Sequence, residues 1–360
     1  MNSAPATAAV ETPYDEKALD EKVERLNAIL GSMRHVLVGY SGGVDSALLA
    51  VAAHRVLGER AVAVTADSES YASGELERAR EITETFGIRH EVVRTDELSN
   101  PEYAANPVNR CYFCKQALFI HMGRLAEETG ASHILYGQNT DDVGDFRPGA
   151  QAAKEYGVRA PLQEAGLNKE DVRRLARRWN VPVWNRPAMA RLSSRFPYGT
   201  PIDADQLRMV DRAEAFLRQE GYEQLRVRHH TDTARIELPP AELDALLADT
   251  ALRARIADAL LETGYARVTA DLRGFRSGSL NEVLQTPDLD PQEGQTRADA
   301  LLEDAFGGAH ESQRQGQMLV LRLPADALAG LAPAEARQPL LDGLGRLGLR
   351  YIALDLKPRP

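Results

Sequence analysis

The sequence predicts an α/β protein: a parallel sheet with helices on both faces, followed by a small α+β domain and a degenerate repeat of that domain. Three observations point there. From about residue 17, short apolar runs alternate with amphipathic patterns of helix length, the signature of βαβ units. A glycine- and serine-rich loop, Ser41-Gly42-Gly43-Val44-Asp45-Ser46, joins the first apolar run to an Ala/Leu-rich helix. The end of the chain repeats the stretch before it at an offset of 85 residues.

Residues 1–16 read as a disordered lead. No Lys or Arg precedes Lys17 and no continuous apolar segment follows, so a secretory signal is not expected and the cytoplasm is. The first domain, 17–186, opens with a helix over Lys17–Leu30. Then come a strand (His35–Tyr40), the glycine loop, a helix (Ala47–Leu57), a strand (Ala61–Ala66), a helix (Ser73–Phe86) and a strand (His90–Arg94). A helix over Tyr112–Thr129 and a strand over His133–Gly137 follow. In such a sheet ligands bind beyond the carboxyl ends of the strands, where Ser41, Asp67 and Asn139 would lie.

Composition shifts at Trp184-Asn185-Arg186-Pro187, and the second domain is expected over 187–285. It begins with an irregular loop to Pro201. A helix (Asp203–Glu220), a cation-rich strand (Leu225–Leu238), a helix (Ala241–Thr263) and a strand (Ala266–Leu272) complete it. Two prolines and three acids in residues 286–296 read as a linker. Over 297–360 the second copy sets Leu323 against Leu238, Pro324 against Pro239 and Leu328 against Leu243. One residue is then dropped, so that Gly348 meets Gly264 and Asp355 meets Asp271. This copy lacks the cations at Arg226, Arg228, His229 and His230, so the chemistry is expected in the first.

At 360 residues the chain is long enough for two or three domains of roughly 150 residues each. No apolar run approaches the ~20 residues of a membrane-spanning helix. The net charge of −10 disfavours a nucleic-acid surface but leaves room for a local basic pocket. Two cysteines, Cys111 and Cys114, cannot build a disulfide framework; with two residues between them, they suit redox or metal chemistry.

The loop at 41–46 is built for an anion. Gly42 and Gly43 let the backbone approach closely, Ser41 and Ser46 add hydroxyls, and helix amides point at the bound charge. The spacing fits neither GxxxxGK[ST] nor GxGxxG. It resembles the PP-loop, SGGxDS, of the ATP pyrophosphatases, which hold the β,γ-pyrophosphate while a substrate oxygen attacks the α-phosphorus. ATP and Mg2+ are the cofactors implied, with Asp45 as candidate metal ligand. Asp67 and Asn139 are candidate nucleotide contacts from neighbouring loops, whereas Asp141-Asp142 suit a helix start better than a metal.

Further motifs narrow the family. Asn109-Arg110-Cys111-Tyr112-Phe113-Cys114-Lys115, Gly137-Gln138-Asn139-Thr140-Asp141-Asp142 with Arg147-Pro148-Gly149, Ser194-Arg195-Phe196-Pro197-Tyr198-Gly199, and Arg226-Val227-Arg228-His229 together resemble the LarE family over residues 17 to 285. That family consists of ATP-dependent sulfur transferases of nickel-pincer cofactor synthesis. The resemblance implies a small anionic nucleotide substrate, pyridinium-3,5-biscarboxylic acid mononucleotide. It also implies catalytic roles for Cys111, Cys114, Lys115 and Glu214, and substrate contacts for Ser194, Arg195, Arg226 and Arg228. A homo-oligomer is expected, without membrane or nucleic-acid partners. Arg226 and Arg228, two apart on a strand, share a face. Competing activities are tRNA thiolation, amide formation of the NAD or GMP synthase type, and non-catalytic ATP or AMP binding.

The chain departs from the family in its sulfur chemistry. The family carries a cysteine in the segment matching Ala188–Leu192, either sacrificed or joined with a CxxC pair to hold an iron-sulfur cluster. Here Ala190 and Arg191 stand there instead. Three routes remain: a persulfide at Cys111/Cys114, a cluster or zinc shared with another subunit or a non-cysteine ligand, or loss of sulfur transfer altogether.

Overall fold

The computed structural model describes residues 14–142, 148–186, 190–276, 278–280 and 291–358. They form two compact units. The division is not a single cut after residue 186: residues 68–74 and 96–113 belong with the second unit. Backbone bonds explain this, because Leu192 N–H donates to Ser70 O, Gly199 N–H to Asn106 O and Ile202 N–H to Ala104 O.

The first unit contains helices α1 (Glu16–Gly31), α2 (Val44–Leu57) and α3 (Glu75–Thr85), and strands β1 (Val36–Gly39), β2 (Ala61–Asp67) and β3 (Arg89–Arg94). After the short α4 (Pro101–Ala104), which belongs to the second unit, come α5 (Arg110–Thr129), β4 (His133–Tyr136), α6 (Pro148–Glu155), α7 (Pro161–Glu164) and α8 (Lys169–Arg178). The four strands are all parallel, in the order β3-β2-β1-β4. Strands β1 and β2 are apolar along almost their whole length because helices cover the sheet. Leu48, Leu49 and Val51 of α2 join Leu26 of α1 and Leu175 of α8 in one core. The chain lays β2 and β3 on one side of β1, then places β4 on the other. The topological switch point therefore lies at the carboxyl ends of β1 and β4.

The second unit continues with α9 (Ala204–Gln219), β5 (Arg226–His230), β6 (Thr233–Glu237), α10 (Pro240–Ala248), α11 (Thr250–Glu262) and β7 (Arg267–Asp271). It ends with α12 (Pro291–Phe306), β8 (Glu311–Gln315), β9 (Met318–Arg322), α13 (Ala325–Gly330), α14 (Ala334–Arg346) and β10 (Tyr351–Asp355). Its six-stranded sheet has the order β5-β6-β7-β10-β9-β8. Alternation along each strand sends Val227, Ala234, Ile236, Val268, Ala270, Leu319, Leu321, Ile352 and Leu354 into one core with the helices. The opposite face differs between the halves. It carries Arg226, Arg228, Arg235, Glu237 and Asp271 in the first three strands, and the apolar Met318, Val320, Tyr351 and Ala353 in the others.

Three sequence expectations change. The strand over 225–238 is a two-strand hairpin, with His230 paired to Thr233 and a two-residue turn at Thr231 and Asp232. Thr231 takes φ 57°, where a β-branched residue is uncommon and gives no turn signal. The helix over 241–263 is two helices, since Asp249 accepts the Leu252 N–H and starts α11 afresh. The linker over 286–296 is helical from Pro291; its earlier part lies outside the described residues.

Both halves of this sheet follow one plan: hairpin, two helices, strand. One buried device recurs in both. Arg253 of α11 donates to Leu247 O at the end of α10, and Arg337 of α14 donates to Leu331 O and Ala332 O at the end of α13. Each guanidinium satisfies carbonyls that a helix C-terminus leaves open. No helix among the described residues is long and apolar enough to cross a membrane.

Candidate functional site

The switch point of the first unit collects the glycine loop. Gly42 turns at φ 77°, a conformation natural to glycine, and Gly43 precedes α2 without a side-chain cap. The first-turn amides of α2 are thus presented at the loop rather than to a capping side chain. Ser46 Oγ accepts the Ser41 N–H at 3.1 Å and lies 3.2 Å from Ser41 Oγ, so the two hydroxyls line one turn.

The end of β4 closes on this loop. Asn139 Nδ2 donates to Asp45 Oδ1 at 3.0 Å, and Lys169 Nζ lies 2.5 Å from Asp45 Oδ2. The Lys169 N–H donates to Asp141 Oδ2, the Asn139 N–H to Asp142 Oδ2 and the Asp141 N–H to Asn139 Oδ1. The aspartate pair therefore organises the loop, in keeping with a capping role. Lys169 has no counterpart among the expected residues. It opens α8 behind a capping box of Asn168 and Asp171, a sequence signal for the helix start but not for its meeting Asp45.

Gly137 makes the close approach possible. A methyl there would lie 2.7 Å from the Ser46 nitrogen and 2.8 Å from the Asp45 carbonyl carbon, both backbone atoms. Gly137→Ala is therefore expected to cost about 1–3 kcal/mol and to weaken ATP binding. Thermal melting and nucleotide titration of the variant check this, and unchanged values for both would contradict the tight contact.

Mg2+ usually takes one or two carboxylates plus substrate phosphates. Asp45 fits that pattern, with Lys169 as the group that would yield to the ion. Among the described residues no cluster of three or more His, Cys, Asp or Glu could hold a metal. Gln138 Oε1, beside Asn139, is buried without a hydrogen-bond partner among the described residues. Asp67 ends β2 with an exposed side chain.

On α5, Cys111 is exposed and Cys114 half-buried; neither forms a disulfide. Three residues apart on a helix, they share a face. The Lys115 stem packs where a side chain at position 149 would otherwise stand, and its ammonium lies 4.7 Å over the Tyr136 ring. This gives the glycine of Arg147-Pro148-Gly149 a physical reason; Arg147 itself lies outside the described residues.

In the second unit the structure brings Ser194, Arg195, Glu214, Arg226 and Arg228 together but turns most of them on one another. Arg195 forks onto Glu214, Nε to Oε1 at 2.7 Å and Nη2 to Oε2 at 2.9 Å, with both side chains fully buried. Its remaining nitrogen donates to Ala190 O, Arg191 O and Ser194 Oγ. Glu214 also accepts from Arg218 and from the Val227 N–H. Burial alone would push the Glu214 carboxyl up, but the Arg195 and Arg218 charges and these bonds hold it down at about 2. The bonds of Arg195 and Glu214 thus run to one another and to neighbours within their own unit, an arrangement that suits positioning groups.

Arg228 donates to Glu237 Oε2 at 3.0 Å, Ser194 O at 2.9 Å and Ser279 Oγ at 3.0 Å. Buried Arg235 pairs with Glu237 and Asp271, and Arg276 reaches Asp271 at 3.4 Å. Six guanidinium groups, of Arg195, Arg218, Arg226, Arg228, Arg235 and Arg276, thus meet three carboxylates, of Glu214, Glu237 and Asp271. His230 adds no charge, since burial and the neighbouring Arg235 push its pKa well below the usual value. Of the three strand and loop arginines expected to meet substrate, Arg226 is the one not fully buried. Burial, then the Arg195 charge, lowers its pKa to about 10. A cation under that strain favours an anionic partner.

Arg191, in the segment where the family carries a cysteine, is ordered by its own neighbours. Nη1 donates to Ser70 Oγ at 2.7 Å, Ser68 Oγ at 3.1 Å and Glu97 Oε1 at 3.1 Å. Its guanidinium carbon lies 4.0 Å over the Tyr71 ring. Residues 187–189 lie outside the described residues.

Comparison with known proteins adds three findings. Residues 14–104 match the family model described as NAD synthase. The chain is 46% identical over 266 residues to an uncharacterized protein of Synechocystis sp., covering 74% of this chain and 99% of that one. It is 37% identical over 272 residues to the pyridinium-3,5-bisthiocarboxylic acid mononucleotide synthase of Lactiplantibacillus plantarum, covering 75% and 98%. A more distant similarity, 28% over 219 residues, links 56% of the chain to 42% of the glutamine-hydrolyzing GMP synthase of Aeropyrum pernix.

Proposed function

This chain belongs to the LarE family of ATP-dependent sulfur transferases, the family of the Lactiplantibacillus plantarum synthase, and we propose that it thiolates pyridinium-3,5-biscarboxylic acid mononucleotide. A substrate carboxylate oxygen attacks the α-phosphorus of ATP, and pyrophosphate leaves. The observation that carries this reading is the corner formed by the loop at 41–46, Asn139 and Lys169. Its hydroxyls, helix amides and ammonium suit the β,γ-phosphates. Asp45 would hold Mg2+, which supplies charge neutralisation to the phosphates. The six guanidinium groups that meet three carboxylates in the buried cluster of the second unit, counted among the described residues, support a phosphorylated dicarboxylate as substrate, with Arg226 as its contact.

The sulfur does not come from position 191, which is arginine. A cluster held by three thiolates does not fit a single chain with two cysteines, and no step runs through one. The route we favour loads Cys111 or Cys114 with sulfane sulfur from an external persulfide donor. The terminal sulfur attacks the acyl adenylate, and AMP departs. The second cysteine thiolate then attacks the sulfur of its partner, releasing the thiocarboxylate and leaving a Cys111–Cys114 disulfide. An external dithiol reduces that disulfide.

Incubation with ATP, Mg2+ and the mononucleotide, read as pyrophosphate release, tests adenylation. Intact-mass measurement tests the sulfur route, which calls for a gain of about 32 Da on Cys111 or Cys114 before turnover. Substrate-independent or absent pyrophosphate release would sink the first reading. Thiolated product from the Cys111→Ser/Cys114→Ser variant would sink the second.

A further inference from the structure

The two halves of the second sheet meet where β7 pairs antiparallel with β10, and the meeting is symmetric. The register pairs Thr269 with Asp355, Ala270 with Leu354 and Asp271 with Ala353. Residues of one half correspond to those of the other at an offset of 84, so exchanging the halves reproduces this register, centred on Ala270 and Leu354. The flanking bonds obey the same exchange. Leu272 N–H donates to Ile352 O at 2.8 Å, and Leu356 N–H donates to Val268 O at 3.0 Å.

Side chains cross over in the same reciprocal way. Arg273, two residues past β7, reaches α14 and donates to Leu341 O at 3.4 Å, against Gly345, whose missing side chain leaves the room. Its counterpart Lys357, two residues past β10, reaches α11 and meets Asp258 at 3.0 Å. The backbone bonds exchange residue for residue and the side chains helix for helix, the reciprocity of an isologous two-fold interface, ordinarily formed by two copies of one chain.

The relatives supply a second observation. Three quarters of this chain matches 98–99% of their length, leaving about a quarter, the size of one repeat with its leading helix, without counterpart in them. A chain with one repeat would leave β7 as an open edge, with unpaired N–H and C=O groups beside the buried Val268 and Ala270.

We propose that the β7 edge, the segment after it and the facing turns of α11 form a two-fold self-recognition surface, and that residues 291–358 fill it in cis in place of a second copy of this chain. The full chain is closed at this edge, and any self-association it shows uses another surface. A chain ended at residue 285 pairs β7 with β7 of a second copy, Ala270 opposite Ala270. Arg273 of each copy then reaches α11 of the other, where Asp258 offers it a carboxylate.

The test compares the full chain with one ended at residue 285, both carrying Cys111→Ser, Cys114→Ser and Ala270→Cys. Because the aligned 266 and 272 residues make up 99% and 98% of two relatives, the shorter chain has natural precedent. On mild oxidation the shorter chain is expected to double in mass and become locked through the introduced thiol, whereas the full chain shows no such link. A shorter chain that folds and stays single, or associates without the link, overturns the proposal. Should it not fold alone, co-expression with residues 286–360 as a separate chain replaces it. A one-to-one complex that survives gel filtration supports the proposal, and failure to form one overturns it.

Discussion

Asp45→Asn is expected to lower substrate-dependent pyrophosphate release by roughly 10²–10³-fold while leaving the fold intact. The side chain sits at the mouth of the glycine loop, where it binds Asn139 and Lys169. Its pair with Lys169 is partly exposed, at 21% and 33%, so breaking it should cost no more than about 1 kcal/mol of stability. The loss therefore falls on chemistry, as a drop in kcat. Lys169→Met is expected to raise KM for ATP about tenfold, one lost charge-assisted contact to phosphate. The double variant separates two roles for Lys169. If the lysine only holds Asp45, Asp45→Asn/Lys169→Met is no worse than Asp45→Asn; if it meets the phosphates once Asp45 turns to the metal, the losses compound. We expect compounding, and pyrophosphate release by the four proteins decides it.

The two halves of this site were not equally legible. The loop at 41–46 announces itself locally: two glycines, two serines and a helix start in six residues permit few other uses. Lys169 stands 124 positions from Asp45, and only the strand order β3-β2-β1-β4 brings α8 to the loop after β1. A sequence shows that strands alternate with helices but not which strand becomes central. The second unit is less legible for a different reason. Spacing puts Arg226 and Arg228 on one face of a strand, but nothing in the sequence marks Glu237 as their partner. The unseen turn at Thr231 folds Glu237 back opposite Arg226 and beside Arg228, converting a presumed ligand face into a buried ion network. The turn also shifts the alternation: Val227, Ala234 and Ile236 all face one core, although one unbroken strand would put Val227 on the opposite face from the other two. Pairing is lost for the same reason, because it depends on where the chain reverses.

The repeat was legible through its spacing rather than its identities. Offsets of 85 and then 84 residues match the observed strands, β5 with β8, β6 with β9 and β7 with β10. The dropped residue falls between the helices of each pair, where α10 passes to α11 and α13 to α14, a place where a loop absorbs a length change without disturbing register. What the offsets could not show is the antiparallel joint between β7 and β10, because a repeat fixes each half but not how the halves meet.

Removing Arg195 should have the largest effect on stability. Arg195→Ala is expected to cost about 3–5 kcal/mol, because it leaves a fully buried carboxylate with Arg218 and the Val227 N–H as its remaining donors. A residue whose main role was to touch substrate would instead leave stability nearly unchanged and raise KM. The two roles are thus separable by urea denaturation beside steady-state kinetics. The pH dependence carries its own sign. Glu214 titrates at about 2 in the folded protein against 4.5 without its partners, so between those values the unfolded chain binds more protons. The stabilisation is complete above pH 4.5 and is lost as pH falls towards 2, a change of about 3 kcal/mol. Glu214→Gln cannot titrate, so the gap in unfolding free energy between it and the parent should narrow by that amount from pH 5 to pH 2. A gap constant with pH would mean that the carboxylate is not held by charge. Because Arg195 also binds the carbonyls of Ala190 and Arg191, loss of the pair should loosen the segment bearing Arg191 and lower activity even at pH values where the variant remains folded.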